Sequence, residues 1–404
     1  MSIIYWVRND LRINDNPAFS AFYKKVIGEK LLGLAVWSPT KSIKRAKKFR
    51  LKFIEDNLKS HSINLSSCDL TFFRTDNNFL EYLIQFSKQN QVSEIYFSKS
   101  YSFEELSEES EVSSFCNLHN IKIFSFDQET LMQVKDLPFA IINMPNVFTD
   151  FRKKCEAQLH IEKPKDQFFN VKLYEESIGE SAAIKRVREF IWETRAIVTY
   201  KETRNGMLDF NDSSKFSPWL SIGAISARRI YDEIKKFEDI HGANDSTYWL
   251  FFELLWRDYF KFLSLKYGRF IFSLEGIKSK NVKFNNHSAD LLLFKKWCDG
   301  ETSEEFVNAN MNELNSSGFM SNRGRQNVAS FLIHDLNLPW IWGAAYFEEH
   351  LIDYDPESNW GNWLYLSGKG TDPRSRVFNI KKQAHDYDPL GLYQKRWKKV
   401  PADF

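Results

Sequence analysis

The chain has 404 residues and a net charge of +2, from 55 basic against 53 acidic side chains. That length exceeds what one hydrophobic core usually serves, so two domains are expected. The balanced charge says nothing about nucleic acid, and the local basic runs, at 152–154, 185–188, 374–376 with 381–382, and 395–399, each read alone as solvated surface. Cys68, Cys116, Cys155 and Cys298 have no CxxC or Cys/His spacing. This argues against a disulfide framework, a structural zinc site or an iron–sulfur cluster, and points to a reducing, cytoplasmic compartment with no metal. The opening MSIIYWVRNDLR has too short an apolar run for a signal peptide, and no later stretch reaches the length of a membrane span.

Along the chain, short apolar runs at 3–7, 31–37, 70–73, 94–98 and 121–126 alternate with amphipathic stretches such as 47–59 and 77–88. This alternation predicts a parallel sheet wrapped by helices, a Rossmann-like α/β domain over 1–126. Neither GxGxxG nor GxxxxGK[ST] follows the first run, so the usual dinucleotide and triphosphate cradles are absent. From 127 to 179 Pro and Asn break the pattern, which reads as an inter-domain crossing. After 180 the strand signature stops. Helix-period stretches at 181–198, 226–240, 247–266, 289–298, 304–315, 325–336 and 342–352 predict an all-α domain over 180–404.

Four polar elements stand out in that second domain. SSKFS (213–217), ahead of PWLSIGAIS, offers hydroxyls and backbone amides at a loop-to-helix junction, a workable way to hold a phosphate. In ELLWRDYF (253–260) the residues Glu253, Trp256 and Arg257 fall at i, i+3 and i+4, placing an acid, an aromatic plate and a guanidinium on one face of an apolar helix. SNRGRQN (321–327) opens a further helix, with Ser321 as N-cap and Arg325 turned inward. DYDPESNWGNWLY (353–365) shows neither strand nor helix period, and its Asp353 and Asp355 are expected at or just past the C-terminus of the preceding helix. There the helix dipole disfavours a carboxylate by up to about 1 kcal/mol, so an Arg325–Asp353 pair is the natural compensation. Each element alone has a plain reading as a surface pair or an ordinary cap. Together they suit a large, polar, aromatic cofactor.

These motifs resemble the photolyase and cryptochrome flavoproteins, closest to the cryptochrome DASH branch. The likeness runs through WVRNDLRINDNPAF, NVFTDFRKKCE, SSKFSPWLSIGAIS, STYWLFFELLWRDYFKFLSLKYG, NMNELNSSGFMSNRGRQNVASFL and DYDPESNWGNWLYLSGKGTDP. It implies an α/β domain joined by a long crossing to a helical domain holding a U-shaped FAD. By position, Tyr200 and Ser213, Ser214, Lys215, Phe216 and Ser217 would meet the phosphates and ribityl chain. Asn322, Arg325, Asp353 and Asp355 would surround the isoalloxazine, with Asn359 facing its N5. Trp363, Trp340 and Trp297 would relay electrons from the surface, Trp297 at the outer end.

The implied activity is light-driven splitting of cyclobutane pyrimidine dimers, with single-stranded DNA preferred because flipping a lesion out costs least there. Glu253 would hydrogen-bond the lesion bases between Trp256 and Tyr365, while Arg204, Arg257, Arg323 and Gln383 would hold the DNA backbone or line the cavity mouth. Asn322 and Gln326 stand where the (6-4) repair branch carries histidines, so that activity is not expected. Two stretches depart from the family pattern. TSEEFVNA (302–309) lacks a Gly, a Tyr and a Pro beside Trp297, and Ser100 stands where the branch's folate-binding glutamate belongs. The latter argues against a folate antenna and leaves the antenna's identity open. The alternatives to repair are a blue-light photoreceptor and a nucleic-acid-binding regulator; the chain's stop at VPADF, without a long extension, favours repair. A monomer, with damaged DNA as its partner and no membrane, is expected.

Overall fold

The computed structural model describes residues 1–165, 178–278, 288–372 and 376–399. The end of the expected crossing and most of the basic run at 374–376 lie outside the described residues. Strands β1 (Ser2–Val7), β2 (Leu32–Trp37), β3 (Thr71–Arg74), β4 (Val92–Ser98) and β5 (Lys122–Phe126) pair in parallel in the order β3-β2-β1-β4-β5. On β1, Ile3, Tyr5 and Val7 enter one apolar layer, under α1 (Pro17–Glu29) and α2 (Lys48–Ser66), while Ile4 and Trp6 enter the other, under α3 (Phe79–Ser87) and α4 (Phe103–Leu118). Burial on both faces is why the central strands β1 and β2 read as unbroken apolar runs rather than as alternation, whereas the edge strands β3 and β5 are largely exposed.

The crossing carries α5 (Phe148–Ala157). The helical domain follows as α6 (Gly179–Arg188), α7 (Ala227–His241), α8 (Asp245–Tyr267), α9 (Ser288–Asp299), α10 (Glu305–Ser317), α11 (Asn322–Ser330), α12 (Trp340–His350), α13 (Pro356–Leu366) and α14 (Ile380–Tyr387). Two expected helices are shorter than their apolar period. The one over 181–198 stops at Arg188 and widens over Glu189–Glu193, and the one over 325–336 widens over Phe331–Asp335. The larger correction is α13, which occupies the stretch with no visible period. Its buried positions are Glu357, Gly361, Trp363, Leu364 and Leu366. An acid and a glycine on the inward face hide the helix from any count of apolar residues.

The loop after β1 locks the two domains together. Leu11 N–H donates to Ile222 O at 3.1 Å, and Arg12 reaches Gly223 O at 2.8 Å. Gly223 has φ +64°, and a Cβ there would lie 1.8 Å from Asn9 O, so only glycine allows this approach. Asp15 accepts from Ser226 at 2.6 Å and pairs with Arg228 at 3.1 Å, both side chains nearly inaccessible. Glu180 at the start of α6 accepts from the backbone N–H groups of Ile13 and Asn14 at 2.8 and 3.0 Å. No helix among the described residues is long and apolar enough to cross a membrane.

Removing one member of a buried ion pair strands the other. Arg228→Ala is therefore expected to lower stability by roughly 3–5 kcal/mol, read as a lower denaturant midpoint.

Candidate functional site

The site is a cavity framed by α8, α11, α13 and the segment 200–221. Its wall includes Tyr200, all five residues of the 213–217 loop, Asn322, Arg325, Asp353, Asp355 and Asn359. Arg204, Glu253, Trp256, Arg257, Gln326 and Trp363 share it, whereas Tyr365, Arg323, Gln383, Trp340 and Trp297 lie off it.

The 213–217 loop is held from behind by Arg186 on α6. That guanidinium donates to Ser214 O at 2.9 Å, Ser213 O at 3.3 Å and Asn211 Oδ1 at 3.0 Å. With its carbonyls turned back to Arg186, the loop presents its side chains to the cavity. The hydroxyls of Ser213, Ser214 and Ser217 and the Lys215 ammonium form no hydrogen bond among the described residues. Burial pushes the Lys215 pKa down. The short helix Ser217–Ser221 begins at Phe216, with no side chain capping it. Unused donors and a cation around one loop fit the diphosphate of FAD.

Across the cavity, Ser321 caps α11 by accepting from Gly324 N–H at 3.0 Å. Arg325 donates to both carboxylate oxygens of Asp353, at 2.8 and 3.0 Å. Asp355 does not sit at an unfavourable helix C-terminus. It is the N-cap of α13, accepting from Ser358 N–H at 2.9 Å, where the dipole favours a carboxylate. Its other partner is Lys261 of α8, 3.0 Å away. Lys261, 1% exposed, also meets Glu129 at 2.6 Å and Glu357 at 2.9 Å, while Arg257 lies 3.5 Å from Glu129 and 3.7 Å from Asp355.

Two cations thus face three carboxylates in a dry setting. Burial alone would raise the Asp355 pKa, but Lys261 and Arg257 outweigh it and hold Asp355 below the usual carboxylate range. Glu357 is pushed up to about 8, by burial first, then by Asp355 and Glu129 against the pull of Lys261. Sequence reasoning missed Lys261, Glu129 and Glu357. The one available signal was Lys261 at i+4 from Arg257 on an otherwise apolar helix.

Glu253 is partly exposed and pairs with Arg204 at 2.7 Å. Burial raises its pKa and Arg204 opposes the rise. Arg204 is therefore engaged inside the cavity wall. Arg257, expected to hold the DNA backbone or line the cavity mouth, is on the cavity wall, but its side chain is 10% exposed, donates to Glu129 O at 2.7 Å and belongs to the buried cluster. Trp256 stacks on Phe148 with centroids 3.6 Å apart and meets Tyr365 edge-to-face at 5.9 Å and 80°. The two rings form a corner, and Phe148 covers one face of Trp256. Arg323 donates to Asn205 at 3.1 Å and to Gln383 at 3.5 Å. Asn359 donates to Ala344 O at 3.0 Å.

The tryptophans also depart from the expected order. Trp297 is fully buried, 6.2 Å from Trp363, and its indole N–H is bound to Val328 O at 3.0 Å, so it does not form a surface end. Trp340, 2% exposed, contacts Trp360 at 5.8 Å.

Comparison with known proteins gives one answer. The family described as DNA photolyase matches residues 3–168, and the FAD binding domain of DNA photolyase matches residues 249–402. The chain is 40% identical to the cryptochrome DASH of Danio rerio, over 98% of this chain and 82% of that protein, and 36% identical to that of Synechocystis, over 100% and 89%. The crystal structure of the Synechocystis cryptochrome superposes with a TM-score of 0.90 at 36% identity, covering 98% of this chain and 88% of the other. A class III photolyase from Agrobacterium tumefaciens, 23% identical, shares the fold with a TM-score of 0.84.

A carboxyl whose folded pKa is raised makes the folded state lose stability as pH climbs from the ordinary carboxyl range through about 8. The melting temperature of the native protein relative to Glu357→Gln is expected to fall across that window and to level off above it. Lys261→Met, which leaves three carboxylates without their shared cation, is expected to cost roughly 3–5 kcal/mol in denaturant unfolding.

Proposed function

The chain belongs to the photolyase and cryptochrome family, in its cryptochrome DASH branch, and from that premise we propose that it splits cyclobutane pyrimidine dimers in single-stranded DNA under blue light. FAD is the cofactor of its helical domain. The chemistry FAD supplies when bound is a light-driven electron, lent to the lesion and returned, with no net redox change. The observation that carries the reading is that Glu253, Trp256 and Asn359 share the wall of one cavity with the phosphate-type loop.

Each residue has a role its surroundings support. Ser213, Ser214, Lys215 and Ser217 hold the diphosphate with donors that have no hydrogen-bond partner among the described residues, the Lys215 ammonium lying over the Phe319 ring. The Arg325–Asp353 pair and Asn359 border the ring system, and the amide of Asn359 adds no charge there. Glu253 binds the extruded bases, and Arg204 favours its ionised form against burial. Trp256 gives the lesion an apolar wall, which excludes water, and Tyr365, off the cavity wall, backs it edge-to-face. Arg323 and Gln383, off the cavity wall, are assigned to the DNA backbone. Trp363 on the wall is the inner member of an electron relay whose other members, Trp340 and Trp297, are assigned by family position; Trp297 packs beside Trp363 at 6.2 Å and Trp340 packs against Trp360. Four unpaired, buried cysteines support a reducing compartment.

Reduced protein is expected to remove thymine dimers from single-stranded oligonucleotides under blue light. Light-independent dimer levels would move the assignment to a photoreceptor. Glu253→Ala is expected to weaken dimer binding by about 10–100-fold, measured with a dimer-containing oligonucleotide, as befits loss of a hydrogen bond to a charged group. Trp363→Phe is expected to slow photoreduction of the oxidised protein by an external thiol while sparing repair by protein reduced beforehand.

A further inference from the structure

A second cleft, of about 510 Å³, opens where α1 and the carboxyl ends of β4 and β5 meet the crossing. Four lysines, Lys24, Lys99, Lys135 and Lys165, line it together with Ser20 and Gln133. The two carboxylates on its wall are already engaged. Asp127 accepts from the Tyr101 hydroxyl and from Val134 N–H, and Glu162 pairs with Lys135 at 3.3 Å. Lys24, Lys99 and Lys165 have no ion-pair partner among the described residues. Like charges gathered on a concave wall repel one another, and such a wall focuses their field on whatever anion enters.

A second, independent feature points into the same space. Ser20 is 4% exposed and lines the cleft, yet its hydroxyl makes no hydrogen bond among the described residues. The helix start contributes nothing: Ala18 N–H goes to Gln128 Oε1 at 2.9 Å and Phe19 N–H to Asn16 Oδ1 at 3.0 Å. The available donors are thus three ammonium groups, the hydroxyls of Ser20 and of the exposed Ser125, and the Gln133 amide. Asp127 is bonded only to neutral donors and keeps its charge, so four lysines against Asp127 and Glu162 leave the wall a net charge of +2, which a phosphate monoester or two neighbouring phosphodiesters can balance and one carboxylate cannot. The location, outside the carboxyl ends of parallel strands, is where α/β sheets hold ligands. No residue of the cleft lines the FAD cavity. Ser100, next to Lys99, is committed elsewhere, its N–H bound to Glu109 at 2.8 Å.

We propose that this cleft is a second binding site, for a phosphate-bearing ligand, with Lys24, Lys99 and Lys165 on the phosphate oxygens and Ser20 as a hydrogen-bond donor. The phosphate can come from a free nucleotide or from a nucleic-acid backbone, and the two sources are separable. FAD-loaded protein is titrated calorimetrically at low salt with 5′-AMP and, separately, with an undamaged ten-residue oligothymidylate. Binding of both probes identifies a nucleotide phosphate as sufficient, and binding of the oligonucleotide alone identifies the backbone. In either case the double variant Lys24→Glu/Lys99→Glu, checked for an unchanged melting temperature, is expected to weaken binding roughly tenfold or more and to flatten its salt dependence. Ser20→Ala is expected to weaken it less and to leave the salt slope intact. The proposal is overturned if neither probe binds, or if binding survives the double charge reversal and is abolished instead by Arg323→Ala.

Discussion

Lys261 is a buried ammonium, and a buried charge must be met by opposite charges or it costs several kcal/mol. Here Glu129 from the segment after β5, Asp355 at the cap of α13 and Glu357 within α13 meet it. Because Asp355 also accepts from Ser358 N–H, one carboxylate fixes both the position and the start of α13. Asn359 and Trp363 reach the cavity wall from the turns that follow. The register of the site is therefore set by charge satisfaction as much as by apolar packing. The third carboxylate exceeds the two available cations, and burial together with Asp355 and Glu129 pushes the Glu357 pKa up.

The same logic joins the domains. Asp15, Arg228, Arg12 and Glu180 are all nearly inaccessible, and each finds its partner across the boundary. Asp258 on α8 accepts from the N–H groups of Leu131 and Met132 at 3.0 and 2.9 Å, and burial raises its pKa to about 7. Polar contacts of this kind are directional. They fix the angle between sheet and helices more narrowly than apolar contact would, and the apolar layer on that face of the sheet runs on into the helical domain.

Against this background of spent polar groups, the unspent ones carry information. Arg257 looks like a ligand-binding guanidinium on its helix face, but its donors go to Glu129 O and its charge to buried carboxylates. Lys215 and the serines beside it have no such partners among the described residues and line the cavity. Lys24, Lys99 and Lys165 are alike in this respect in the second cleft. The difference between a structural and a binding cation is whether its charge is answered from within the protein.

The sequence alone determined the strands, since short apolar runs alternate with amphipathic stretches of helix length, and it determined the identity of the cavity residues, because SSKFS, ELLWRDYF, SNRGRQN and DYDPESNWGNW are contiguous motifs. The Arg325–Asp353 pair was also legible, because a carboxylate near a helix end calls for a cation. Only the tertiary structure decided that Asp355 begins a helix, that Trp297 is buried beside Trp363, and that Lys261 gathers three acids. Those facts depend on partners far apart in the chain, as Glu129 and Asp355 are. Local period and composition carry no record of which distant charge will answer a buried one.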